Sequence, residues 1–351
     1  MKKKLVRAWA KHERLVNLVA LAVAVLYPLI FTSPYVMNIV IMGLIFSVLS
    51  ISLNLITGYL GQVTLGHAAF YSIGAYVAAL LATKFQWSFL ATFVCAAALS
   101  SLFGVLLGLP TLRLSGNYLA IVTMAFGEIA RLIELNWMSV TRGPMGIPAI
   151  PAPSLFGVEL STPRSKYYLI LIVLILSIIV VHNIVNSRTG RTFLAIKGDS
   201  IAAEAMGINL FRYKLLCFSL SAMIAGVAGA FYAHYMSFID PTSLSAGVST
   251  RILSMTIMGG LGSIPGSIFG ALTLTAVPEL LRALSEAMLH WSESLAPVAR
   301  ALVESRQIVY GIILVIMVLV KSDGLLGGIN LKYERQNMRM EEEAEKEAAE
   351  P

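Results

Sequence analysis

The residues from Asn54 to Tyr76, NLITGYLGQVTLGHAAFYSIGAY, set Asn54, Gln62, Thr64 and His67 in an otherwise apolar run. Gly58, Gly61, Gly66 and Gly74 interrupt the same run. Amides and hydroxyls here suit hydrogen bonding to a polar solute rather than bond-breaking chemistry, and His67 reads as an interior histidine rather than a ligand. A second stretch, LRLSGNYLAIVTMAFGEIARLIELNW, adds Asn117, Tyr118 and Thr123, with Glu128 and Arg131 three residues apart on one helix. That spacing lets the two charges pair. An ionisable group in such a run is a functional candidate by default, although Arg131 can reach water near a helix end.

The elements that hold these groups follow from composition. The chain of 351 residues is 57% hydrophobic and only 13% charged. Soluble domains carry about 25% charged residues, so this balance belongs to a polytopic membrane protein. Crossing the hydrocarbon layer takes roughly 20 apolar residues. Runs at about 15–33, 36–57, 63–83, 89–110, 117–136, 167–186, 213–236, 251–281 and 305–321 meet or approach that length. None alternates like a barrel strand. The expected fold is all-α: a polytopic helical membrane bundle with broken or re-entrant segments and a cytoplasmic coupling helix. Cys95 and Cys217 lie inside apolar runs and read as core packing, not as a disulfide or metal site.

Charge orients the bundle. Six Lys or Arg residues in positions 1–14 place a basic N-terminus in the cytoplasm. The apolar run after it lacks a small-residue cleavage site and reads as a retained first span. Residues 15–325 form the membrane domain, with a basic loop at 187–214, outer loops at 137–166 and 282–304, and a charged cytoplasmic tail at 326–351. The second outer loop is amphipathic and suits a helix lying on the outer surface. Parity then bears on ILSMTIMGGLGSIPGSIFGALTLTAV, where Gly259, Gly260, Gly262, Pro265 and Gly266 cluster. Two half-helices over 251–281 that enter and return on the outer side keep the tail inside; one kinked crossing is the alternative. Paired Gly-interrupted segments in two halves of a chain point to a transport pathway. The candidate path residues are Gly58, Gly61, Gln62, Thr64, Asn117, Tyr118, Thr123 and Glu128. Close helix packing is the competing account of the glycines.

No G-x-x-x-x-G-K-[ST] phosphate loop occurs, and residues 15–110 contain no Asp or Glu. The chain is therefore expected to be neither an enzyme nor an ATP binder, and to need no cofactor. A channel, an ion-coupled carrier and a pore subunit driven by a separate ATPase remain. The basic loop contains GRTFLAIKGDSIAAEAMGINLFRYK, in which Ser200 can cap a short helix with Glu204 in its early turns. Ala202, Ala203, Met206 and Gly207 give that helix a small apolar face fit for a groove on a cytosolic partner.

The spacing of Ala202, Ala203 and Gly207 resembles the coupling loop of ABC importer permeases, although Ile201 stands where that motif has Glu. More specifically, GYLGQVTLGHAAFYSIGAY, LRLSGNYLAIVTMAFGEIARLI, TRGPMGIPAI, GRTFLAIKGDSIAAEAMGIN and IMGGLGSIPGSIFGA resemble, in order, segments of the M-type permeases for branched-chain amino acids. The resemblance spans roughly residues 45 to 325. It implies a bacterial inner-membrane permease with both termini cytoplasmic, a second homologous permease subunit, two ATP-binding subunits and a periplasmic amino-acid-binding protein. It also implies ATPase coupling through Asp199, Ser200, Ala202, Ala203, Glu204, Met206 and Gly207. A urea or short-amide permease of the same family, or a secondary carrier or channel, stays open. Nothing points to nucleic acid.

Overall fold

The computed structural model describes residues 13–30, 33–111, 114, 116–155, 157–291, 311, 312, 315 and 324. Residues 1–12, most of the run at 305–321, residues 292–304 of the second outer loop and the tail at 326–351 lie outside them. Helix α1 (Glu13–Ile30) is described by itself. The rest is α2 (Pro34–Asn54), α3 (His67–Lys84), α4 (Phe89–Thr111), α5 (Asn117–Asn136), α6 (Pro163–Asn186), α7 (Arg188–Gly198), α8 (Ser200–Ala205), α9 (Leu210–Met236), α10 (Ala246–Gly259) and α11 (Ile264–Trp291). Five of these helices are long and apolar enough to cross a membrane: α2 with its extension to Leu60, α4, α6, α9 and α11. The protein is a helical membrane bundle.

Helix α2 is the centre. Every residue from Gly43 to Asn54 is buried, and so is the single π-helical turn Leu55–Leu60 that continues it. A helix apolar on all sides must be packed on all sides, and α6, α9, α10 and α11 surround this one. Helix α9 runs antiparallel to it: Ser221 Oγ donates to the Ser52 carbonyl at 2.5 Å, while Tyr235 Oη reaches Asn38 Oδ1 at 2.7 Å. Side chains cap several of the other starts: Thr162 for α6, Ser187 for α7 and Asn209 for α9.

Helices α3, α4 and α9 cross on small residues. A Cβ on Gly74 would strike Gly226, one on Gly229 would strike the Tyr71 carbonyl, and one on Gly226 would strike Ser100. Ala78, Ala96 and Ala230 fill the seam between them. In lipid, helices associate by such close van der Waals contact. Packing therefore accounts for Gly74.

The chain breaks where glycines cluster. Beyond Gly61 the chain is non-helical until α3 begins at His67, four residues later than the apolar run at 63–83 suggests. His67 Nε2 lies 2.6 Å from Ser52 Oγ. The chain that leaves the bundle end at Leu60 has therefore climbed back two turns, about 12 Å. The second break falls at Gly260–Ser263, between α10 and α11. Arg251 lies over Phe46, while Tyr35 bonds Glu279, so α10 runs parallel to α2 and α11 antiparallel. The pair is a hairpin entering and leaving at the Pro34 end of α2.

Three expectations change. Helix α11 has 28 residues and reaches Trp291, so it is a full-length helix rather than a half-helix. Residues 282–291 continue it, with Arg282 and Glu286 paired on its surface, instead of forming a separate surface helix. The loop at 137–166 is not plain coil. It holds a one-turn helix at Met138–Thr141, a hairpin pairing β2 (Ser154–Leu155) with β3 (Val158–Glu159), and β1 (Ile147–Pro148), which pairs with β4 (Phe238–Ile239).

Gly229→Leu is expected to destabilise the bundle by about 1–3 kcal/mol through overpacking, read as a lower thermal-unfolding midpoint in detergent. Gly198→Ala meets nothing within 4 Å and is expected to leave the midpoint unchanged.

Candidate functional site

Asn54 closes the second break from the end of α2. Its amide nitrogen donates to the Ser263 carbonyl at 3.0 Å and to Ser267 Oγ at 2.8 Å, and its Oδ1 accepts from Gly262 N at 2.8 Å. Buried backbone freed from a helix at membrane depth needs such partners. Gly58 sits beneath this junction, where a Cβ would collide with Asn54 Oδ1 and Gly262 N. Only glycine lets the two broken segments approach this closely.

From there the chain passes Gly61, which is exposed and left-handed at φ +79°, and Gln62, which is half-buried with Oε1 unpartnered. Thr64 is buried and accepts from Gly66 N. Helix α5 lies alongside: Thr123 Oγ1 accepts from Leu65 N at 3.1 Å, and a Cβ on Gly66 would strike the Thr123 carbonyl. Thr64, Gly66 and Thr123 thus meet, with Gly61, Gln62 and Val63 open beside them. His67 is fully buried on Ser52, with its Nδ1 unpartnered.

Other candidates lie elsewhere. Asn117 and Tyr118 occupy the first turn of α5 and face outward, Tyr118 at 74% exposure. Glu128 pairs with Arg131, Nη2 to Oε1 at 2.5 Å, on a partly exposed face.

The buried carboxylate of α5 is Glu134, one turn beyond Arg131 and only 6% exposed. Ser72 Oγ donates to its Oε1 at 2.5 Å; among the described residues Oε2 has no partner, and neither does the buried hydroxyl of Tyr76, one turn along α3 from Ser72. Glu134 falls next to the apolar end of LIELNW, and only the packing of α5 on α3 distinguishes it from a solvated end residue.

The segment expected to couple is two abutting helices, α7 and α8. Helix α7 buries Phe193 and Ile196. Asp199, not Ser200, caps α8: its Oδ1 accepts from Ile201 N at 2.8 Å and Ala202 N at 3.1 Å. A carboxylate at this position also favours the helix dipole. Gly207, at φ +82°, ends the helix with Gly207 N on the Glu204 carbonyl and Ile208 N on the Ala203 carbonyl, a Schellman closure. Ala203 turns inward and is buried within the chain, contrary to the face expected from spacing. The apolar surface offered to solvent is Ile201, 79% exposed, and Met206, 84% exposed, with Ala202 beside them. Ile201 stands where the family motif has an acid, so the motif alone does not place it on that apolar face.

A family model described as the permease component of the branched-chain amino acid transport system matches residues 35–318. The chain belongs to this permease family. It is 34% identical over 297 residues to the high-affinity branched-chain amino acid transport system permease protein LivM of Salmonella typhimurium, covering 78% of this chain and 70% of that protein. The LivM of Escherichia coli matches to the same extent. The permease LivH of Salmonella typhimurium is 26% identical over 309 residues, covering 83% of this chain and 94% of LivH. No solved structure matches. The match to the permease family takes in both breaks, α5 and the α7–α8 segment.

Ser72→Ala leaves the Glu134 carboxylate without its one described partner and is expected to cost about 1–3 kcal/mol. Ser72→Ala combined with Glu134→Gln removes the stranded charge and is expected to recover most of that loss. Thermal unfolding of the two single variants and the double variant checks the coupling.

Proposed function

We propose that this chain is the membrane-spanning subunit of an ATP-driven importer for branched-chain amino acids, moving its substrate without altering it. The observation that carries the reading is the exposed apolar tip of α8 on a chain that lacks a phosphate loop of its own. Ile201 and Met206 on a short, doubly capped helix form a rigid knob suited to a groove on an ATPase. Two ATPase subunits, a second permease of the same fold and a periplasmic amino-acid-binding protein complete the assembly. Matches to both LivM and LivH support a paired permease, because two kinds of family member share this chain's length of fold.

The path runs beside Gly61 and Gln62, where non-helical backbone and the Gln62 amide offer hydrogen bonds to a small zwitterion, while the buried hydroxyls of Thr64 and Thr123 brace that backbone. Backbone dipoles at broken helix ends add partial charge without a further ion. ATP binding closes the ATPases, α7 and α8 follow, and the spans rearrange around that path. Asp199, Ser200, Ala202, Glu204, Met206 and Gly207 shape the contact; Ala203 supports it from inside. The inner bacterial membrane is the setting, with α7, α8 and both termini in the cytoplasm.

Ile201→Glu and Met206→Glu are each expected to abolish co-purification of the ATPase subunits. An unpaired charge in the groove costs about 3 kcal/mol, on the order of a hundredfold in association. Retention of the ATPases and of wild-type uptake in proteoliposomes would show that coupling lies elsewhere. Uptake by the permease alone, with no ATPase present, would make it a carrier.

Orientation has its own test. Cysteine at position 200 is expected to react with an impermeant maleimide only when the cytoplasmic face is open, and cysteine at position 154 in intact spheroplasts. The reverse pattern would invert the bundle.

A further inference from the structure

The end of α2 is satisfied by three different elements. In its π turn, the Leu55 carbonyl accepts from Cys217 Sγ of α9, and the Ile56 carbonyl accepts from Gly61 N and Gln62 N. The Gly58 carbonyl takes Lys197 Nζ of α7 at 2.7 Å. Terminal helix carbonyls attract cations, and this bond has a charged donor. The lysine stem is seated as well as its head. A Cβ on Gly61 would lie 2.8 Å from Lys197 Cγ and 3.2 Å from its Cβ. Gly61 is also left-handed, so glycine meets both demands at once.

Lys197 stands two residues before Asp199, the cap of α8, on a helix whose other side is anchored by Phe193 and Ile196. Gly58, its acceptor, abuts Gly262 of the second break, and Asn54 binds that same turn. One ammonium thus touches the point where both broken segments meet, and a displacement of α8 carries it along.

We propose that Lys197 is a positioning residue that transmits movement of α7 and α8 to the Gly58–Gly66 segment. This rests on the importer reading, in which α8 receives the ATPase stroke. A lysine that only capped α2 would add stability and nothing else; a transmitting lysine sets how much transport each hydrolysis produces.

The test uses the full complex in proteoliposomes with leucine-loaded binding protein, measuring leucine imported per ATP hydrolysed. Lys197→Met keeps the stem and removes the donor; Lys197→Arg keeps a donor. The methionine variant is expected to retain its ATPase subunits and hydrolysis while the transport ratio falls at least tenfold. The arginine variant is expected to stay within twofold of wild type. Gly61→Ala, which displaces the stem from the other side, is expected to uncouple likewise. A wild-type ratio in Lys197→Met, even with a lowered unfolding midpoint, would make the residue a cap and overturn the proposal. Loss of the ATPase subunits from that variant would also overturn it, by placing Lys197 in docking. Failure of the wild-type complex itself to import leucine with ATP would instead defeat the importer reading, and it is seen without any variant.

Discussion

Backbone that leaves a helix at membrane depth has no water to bond, and Asn54 is where this chain meets that constraint. One carboxamide accepts from Gly262 N and donates to Ser263 and Ser267, joining the end of α2 to a break about two hundred residues away in sequence. The rest of the central arrangement depends on it. Helix α2 must be fully enclosed to protect the bond, the α10–α11 hairpin must reach the level of Asn54, and Gly58 must lack a side chain beneath it. An unsatisfied amide in this position would cost about 1–3 kcal/mol and open the junction.

Around that junction the bundle is built in two manners. Helices α3, α4 and α9 lock through glycine and alanine, where backbones touch and little can slide without collision. The stretch from Gly61 to Gly66 is instead held at its two ends: Gly61 N and Gln62 N on the Ile56 carbonyl with the Lys197 stem against Gly61, and Leu65 N on Thr123 Oγ1 with Gly66 against the Thr123 carbonyl. Interfaces of the first kind move as rigid bodies, whereas a segment pinned at a few points can be repositioned by moving its pins. A permease needs both properties, because the path must change access while the helices that frame it stay intact.

Helix α8 shows the same economy at smaller scale. Six helical residues would not hold a helix alone. Asp199 and the Schellman closure at Gly207 satisfy its ends, and burial of Ala203 fixes which face turns outward. Ile201 and Met206 project as a consequence. The apolar tip is rigid because its polar ends are complete.

Much of this was legible in the residues themselves. Apolar run length, low charge and the lack of strand alternation determine a helical membrane protein, since only helices and closed barrels satisfy backbone in hydrocarbon. Clustered glycines mark both breaks, with Pro265 beside the second, because those residues are poor at continuing a helix, and the ordered motifs identify the permease family. Tertiary structure decided the rest. Spacing cannot tell that Ala203 points inward and Ile201 outward on one turn of helix, because that depends on how α7 and α9 seat it. It shows that Glu128 can pair with Arg131, but not that this pair stands on a partly open face while Glu134 is buried with one bond, since both are carboxylates on the same helix. Nor can it join Lys197 to Gly58, a contact between residues far apart in the chain that exists only because α7 packs against the end of α2.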